Sequence, residues 1–234
     1  PMTANSQFWT PARLTGPLLF LVTVTHMAGF QIANSFVVSG DFAATGIKMA
    51  QSEGLYRLAL LSYSASSILS VGLAVSFALW IAPISRLGAG LVLGWRLFEA
   101  ISSAVTWAIR FALVDNQTQP SLLGAPGAEA LHRLLRDTAN AAFDLGAIGL
   151  ALATLIGFYF LFQARSLPRL LSAIAMLGAI LFLVSSVMAL GWPETDIPSS
   201  VAFAVTLLSN LVIGLWLMVR GDRSSQAKVL AQQA

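Results

Sequence analysis

Arg96 and Glu99 stand three residues apart in Gly94-Trp95-Arg96-Leu97-Phe98-Glu99, inside an apolar run from Leu87 to Leu113 that is long enough to cross a bilayer. A charge at that depth costs about 2.5–3.5 kcal/mol on insertion scales, so an intramembrane pair of opposite charges is a candidate functional site by default. Ser103, Thr106 and Arg110 continue the pair at steps of four, three and four residues, the spacing of one helix face. That stripe must point into a bundle or a wet cavity, because facing lipid would leave its charges unsolvated.

Other apolar stretches offer partners at matching depth: His26, Asn210, the row Ser62, Ser66 and Ser70, and the row Asp137, Asn140 and Asp144. Two polar layers are expected. A midplane layer holds Arg96, Glu99, His26 and Asn210, with Ser103 one turn away; an outer layer pairs Arg110 with Asp144. Each residue also has a structural reading. A buried ion pair ties helices together, a lone histidine serves as a hydrogen-bonded core residue, and Asn and Ser act as interhelical glue. Arg110 and Asp144 lie near an interface, where they are solvated.

Several chemistries fail on inventory. There is no cysteine, so disulfides, thiolate metal sites and cysteine nucleophiles are excluded. The second histidine, His132, lies in a connection, which leaves no bis-imidazole haem site across the bundle. No His-Glu-x-x-His, Gly-x-Ser-x-Gly or P-loop occurs, and no lysine lies within a span to carry retinal. The residues imply no cofactor and no metal. A carboxylate–histidine relay through Glu99 and His26 remains as acid–base chemistry.

The elements that position these groups follow from composition. Hydrophobic residues make up 57% of the 234 residues and charged residues 10%, with a mean hydropathy of +0.79. Such a chain has too little polar surface for water, so its solvent is lipid. Six spans emerge, Leu14–Phe36, Arg57–Ala82, Leu87–Leu113, Ala139–Gln163, Leu170–Leu190 and Ser199–Arg220. Each has the ~20 residues a bilayer core requires. They must be helices, because lipid offers no partners to exposed backbone groups. The expected fold is an all-α polytopic bundle over residues 14–220, with a short segment before it and a polar tail from Gly221. Pro17 falls in the first turn of the first span, and Gly127–Asp137 reads as a helix that lies at the interface or extends span four. Trp80, Trp107, Trp192 and Trp216 fit aromatic belts, with Trp95 deeper. The glycines of Gly88-x-Gly90-x-x-x-Gly94 and Gly146-x-x-Gly149 mark close helix contacts. Pro1 before Met2 resembles a residue left by a cleaved tag, and the first span reads as a retained helix rather than a signal peptide.

Charge sets the expected orientation. The side of the termini carries Arg13, Arg86, Arg165, Arg169, Arg220, Arg223 and Lys228 against Asp222. The other side carries Lys48, Arg57, Arg110, Arg133 and Arg136 against Asp41, Glu53, Asp115, Glu129, Asp137, Glu194 and Asp196. By the positive-inside rule both termini are cytoplasmic. The expected partners are membrane lipids, a small or lipid-like ligand, and as one option a second copy of the chain. No basic groove with interleaved aromatics suggests nucleic acid.

The ordered motifs resemble a known family. Gly40-Asp41-Phe42-Ala43-Ala44-Thr45 and Ser52-Glu53-Gly54-Leu55-Tyr56-Arg57-Leu58 resemble the first connection of the DUF4386 family of bacterial integral membrane proteins. Arg96-Leu97-Phe98-Glu99-Ala100 resembles its third helix. Phe143-Asp144-Leu145-Gly146, Gly157-Phe158-Tyr159 and Arg165-Ser166-Leu167-Pro168-Arg169 resemble its fourth helix and the following turn, and Leu215-Trp216-Leu217-Met218-Val219-Arg220-Gly221 its end. The resemblance implies a six-helix protein of the bacterial inner membrane and no particular activity. It also associates the sixth helix with an acidic residue where Asn210 stands here; on that alignment a proton-coupled role would not carry over to this chain.

The functional expectation is a non-enzymatic membrane module that holds a small or lipid-like ligand, or a partner, against the Arg96/Glu99 layer. The rivals are a small transporter or channel, and an intramembrane enzyme acting on a lipid or quinone. No inverted repeat or pair of broken helices favours transport.

Overall fold

The computed structural model describes residues 10–38, 40–118, 124–192 and 199–221. The basic and acidic residues Asp222, Arg223, Lys228, Glu194 and Asp196, the first nine residues and the polar tail lie outside the described residues. Seven helices follow in order: α1 (Pro11–Phe36), α2 (Phe42–Gln51), α3 (Glu53–Ile81), α4 (Arg86–Thr118), α5 (Gly124–Gln163), α6 (Arg169–Gly191) and α7 (Ser199–Arg220). Six of them, all but α2, are long and apolar enough to cross a membrane. The described residues contain no strand.

The helix ends follow local chemistry. Thr10 caps α1 by accepting from the Arg13 backbone N–H at 3.3 Å, and Pro11 opens the first turn, where its missing donor does no harm. Because α1 begins at Pro11 and not at Leu14, Pro17 falls in the second turn rather than the first. The connection expected over Val37–Tyr56 contains α2. Asp41 caps it, accepting from Ala44 N–H at 2.8 Å, and Thr45 accepts from Val38 N–H at 3.0 Å to pin the preceding loop. Ten residues are too few to cross a bilayer, and hydropathy by itself passes over them. Gly127–Asp137 extends span four, for α5 runs unbroken over 40 residues, about 60 Å at the helical rise. At the opposite end, Arg165 closes α5 in the left-handed region, with φ 53°, while Ser166 N–H bonds to Leu161 O at 3.1 Å.

The six long helices form a ring in chain order, α1–α3–α4–α5–α6–α7, and α7 returns to pack on α1. Glycines set the closest approaches. A Cβ on Gly16 would lie 2.9 Å from Leu217 Cβ and 3.0 Å from Gly214 O, so α1 and α7 meet backbone to backbone. Gly146 and Gly149 meet Glu99 and Trp95 backbone atoms of α4 in the same way. In the other glycine motif, Gly88 packs on Phe160, whereas Gly90 and Gly94 touch nothing within 4 Å. They fall on faces of α4 turned away from its neighbours.

Two apolar clusters cap the ring interior. Leu19, Leu73, Phe77, Ile81, Val92, Phe158, Leu161, Ile213 and Leu217 fill the end near the termini. Ala33, Phe36, Met49, Tyr56, Leu60, Tyr63, Trp107 and Val114 fill the other. Outward-facing positions are also apolar; Ile68 is 74% and Ile101 64% exposed, as a lipid-facing surface demands. Two of the tryptophans expected in belts are core residues instead, Trp80 at 6% and Trp107 at 3% exposure. Trp192 is exposed, and Trp216 lies under the Arg220 guanidinium at 5.1 Å.

Candidate functional site

The polar stripe of α4 is continuous in sequence and divides in space. Its first three members face a chamber in the middle of the ring, between the apolar clusters. Arg96, Glu99 and Ser103 line it together with His26 and Thr23 of α1, Thr206 and Asn210 of α7, and apolar walls that include Leu19, Leu150, Phe182 and Phe203. The expected midplane residues thus share one cavity. Thr106 is fully buried in the α4–α5 seam, its hydroxyl donating to Ser102 O at 2.9 Å and directed at Ala139 O at 3.4 Å. Arg110 opens onto a different cavity altogether.

Arg96 is 4% exposed and its Nη1 lies 3.5 Å from Glu99 Oε2. At that separation the two attract as charges without forming an aligned hydrogen bond. Arg96 Nε and Glu99 Oε2 are accordingly both buried with no hydrogen-bond partner. One is an orphaned donor and the other an orphaned acceptor, on side chains that line the same chamber. The neighbouring hydroxyls do not satisfy the donor–acceptor pair: Thr23 donates to Leu19 O at 2.8 Å and Thr206 to Ala202 O at 2.9 Å, each within its own helix.

His26 sits among rings rather than polar partners. Tyr63 meets it edge-on at 5.0 Å between centroids, Phe203 lies at 5.9 Å, Trp107 at 6.2 Å and Phe143 at 6.3 Å. Tyr63 stacks on Trp107 at 3.7 Å, and the Arg110 guanidinium rests over Trp107 at 5.3 Å. This aromatic column, from α1 through α3 to α4, separates the chamber from the end of the bundle away from the termini. Sequence reasoning missed it because its members come from different helices and carry no shared spacing.

The outer layer needs correcting. Arg110 donates to Asn140 Oδ1 at 3.0 Å and makes no ion pair with Asp144 among the described residues. The α4–α5 register explains this. Gly146 faces Glu99, and Thr106 faces Ala139, so Asp144 lies close to the level of Glu99 and well away from Arg110. Asp144 is half-buried and lies outside the chamber lining. Asp137, at the start of the same row, pairs with Arg136 at 3.2 Å. Of the serine row, Ser62 links α3 to Thr25 O of α1 at 2.8 Å, and Ser66 bonds back to Tyr63 O.

The chamber volume is about 60 Å³. A water molecule needs roughly 10–15 Å³ of such space, so about four to six waters, or one small polar group, would fit. Among the described residues no three of His, Asp and Glu gather in a metal-binding geometry.

A family model described as "Domain of unknown function (DUF4386)" matches residues 14–221, nearly the whole chain. The chain belongs to the DUF4386 family. No curated protein and no solved structure matches it. Membership fits the six apolar helices of a multi-pass membrane protein, and the matched residues include Arg96 and Glu99, which supply the charges of the chamber.

Proposed function

We propose that this DUF4386 protein is a non-enzymatic membrane-embedded binding module whose central chamber takes a small polar group of a lipid-like or small-molecule ligand. The observation that carries this reading is the pair of orphaned atoms. A free donor on Arg96 and a free acceptor on Glu99 are complemented by one group that both accepts and donates, such as a hydroxyl or a carboxamide. A simple anion would meet Glu99, and a simple cation would meet Arg96. The volume limits the polar group to a few heavy atoms, and the apolar wall of Leu19, Leu150, Phe182 and Phe203 suits an alkyl portion.

What supports binding over conduction is the packing at both ends of the chamber. Fully or nearly fully buried Leu73, Phe77 and Ile81 fill one end, and the Tyr63–Trp107 stack stands at the other. On this reading both termini are cytoplasmic and the membrane is a bacterial inner membrane; the charge asymmetry supports that orientation through the positive-inside rule.

Native mass spectrometry of protein extracted in mild detergent tests the proposal. Wild-type protein is expected to carry a discrete added mass, and Ala147→Leu, which fills the chamber, is expected to lose it while remaining folded by circular dichroism. Wild-type protein free of any added mass, or an Ala147→Leu variant that retains it, would refute the chamber as the site.

A further inference from the structure

The second cavity is larger and of different chemistry. It opens at the end of the bundle away from the termini, between the α1–α2 loop, α2, α4 and the first part of α5, with a volume of about 450 Å³. That is the scale of a small-molecule site. Its charges are unequally matched. Arg133 pairs with Glu129 at 2.5 Å, and Arg136 with Asp137 at 3.2 Å. Asp41, an exposed carboxylate on the rim, accepts from the α2 backbone at Ala44. Arg110 has no carboxylate within ion-pair distance among the described residues; its bonded partner is the neutral amide of Asn140.

Two orphaned atoms belong to this cavity. Arg110 Nε and His132 Nδ1 are both buried without a hydrogen-bond partner, and both side chains line the space. A guanidinium that is always charged and an imidazole nitrogen able to carry a proton are complemented by an oxyanion. Depth narrows the class. Arg110 lies five residues, about 7.5 Å along α4, from Asp115, whose ion pair with Arg57 at 2.7 Å marks the polar end of the bundle. That is headgroup level, where phosphate is the abundant oxyanion.

We propose that this vestibule is a phosphate-binding site in which Arg110 supplies the charge and His132 a second hydrogen bond. It is independent of the inner chamber. Phosphate could arrive on a lipid headgroup or on a soluble phosphate, and the volume accommodates either.

Trp107 beneath Arg110 supplies the readout. Full-length protein in nonionic detergent would be titrated with inorganic phosphate, or with dihexanoyl phosphatidylglycerol below its micellar concentration, each against chloride at equal ionic strength. Tryptophan fluorescence and melting temperature would both be followed. At least one phosphate probe is expected to give a saturable response. Arg110→Gln is expected to weaken it about tenfold or more, His132→Gln about threefold, and Arg86→Gln, on the opposite face, not at all. A response to inorganic phosphate identifies a solute site, and a response to the phospholipid alone identifies a headgroup site. The proposal is overturned if neither probe exceeds chloride, or if Arg110→Gln binds as wild type does. Should Arg110→Gln fail to fold, an undiminished affinity in His132→Gln overturns it instead.

Discussion

Glu99→Gln is the most direct perturbation of the chamber. It keeps the shape of the side chain and removes its charge, leaving Arg96 at 4% exposure with no counter-ion. Two charges 3.5 Å apart interact by about 4–5 kcal/mol at an effective dielectric constant near 20. Removing one partner of a buried pair is expected to cost about 3–5 kcal/mol, because the remaining charge stays desolvated. The glutamine carbonyl still offers Arg96 a dipole, which places the expectation near the lower end, about 3 kcal/mol. For a chain of this size each kcal/mol moves the melting temperature by about 2–4 °C, so the midpoint should fall by about 6–12 °C. Thermal denaturation in one detergent, followed by circular dichroism and by loss of the monodisperse peak, measures it. The double variant Arg96→Met/Glu99→Leu removes both charges together and should recover most of the loss. An unchanged midpoint in Glu99→Gln, or a double variant as unstable as the single one, would refute the account of these residues as a mutually dependent buried pair. If stability holds while the co-purified mass disappears, the pair acts on ligand and not on packing.

Three further outcomes are expected. Gly16→Ala should lower the melting temperature by several degrees, since its Cβ would meet Leu217 Cβ at 2.9 Å and two backbone atoms of α7 at 3.0 and 3.1 Å; overpacking of this kind costs about 1–3 kcal/mol, and an unchanged midpoint would contradict the α1–α7 contact. Asp41→Ala removes the cap of α2 at a cost of about 1 kcal/mol, which hydrogen exchange should register as faster exchange at Ala44 and Thr45 with α6 unaffected. Because the chain has no cysteine, single cysteines report topology: in intact cells an impermeant maleimide should label Ser52→Cys, and should reach Arg165→Cys only after permeabilisation. The reverse pattern would invert the orientation proposed from the charge asymmetry.

Much of this was legible in one chain. An apolar run of some twenty residues has a single low-energy state in lipid, the helix, because no other conformation satisfies its backbone internally. That constraint acts locally, so the spans, their number and the inward direction of Arg96, Glu99 and Ser103 follow from hydropathy and a 3.6-residue period. Short α2 was harder, since its ten residues are held by the Asp41 cap and by packing on α4 rather than by lipid. The Arg110–Asp144 pairing failed because it required the axial register of two helices, and register is set by where glycines let backbones touch, Gly146 and Gly149 against α4.

The sequence by itself therefore determined the class, the six long helices and the inward face of Arg96, Glu99 and Ser103, each a consequence of solvent and periodicity within one segment. The tertiary structure alone decided how one stripe of α4 is shared between two cavities, with Arg96 and Glu99 in a chamber of about 60 Å³ and Arg110 in a vestibule of about 450 Å³. Between His26 of the chamber and Arg110 of the vestibule stands the Tyr63–Trp107 stack, which exists only where α3 and α4 bring two distant aromatic residues to the same depth. Contacts between segments depend on interhelical distance and register, and no local pattern encodes either.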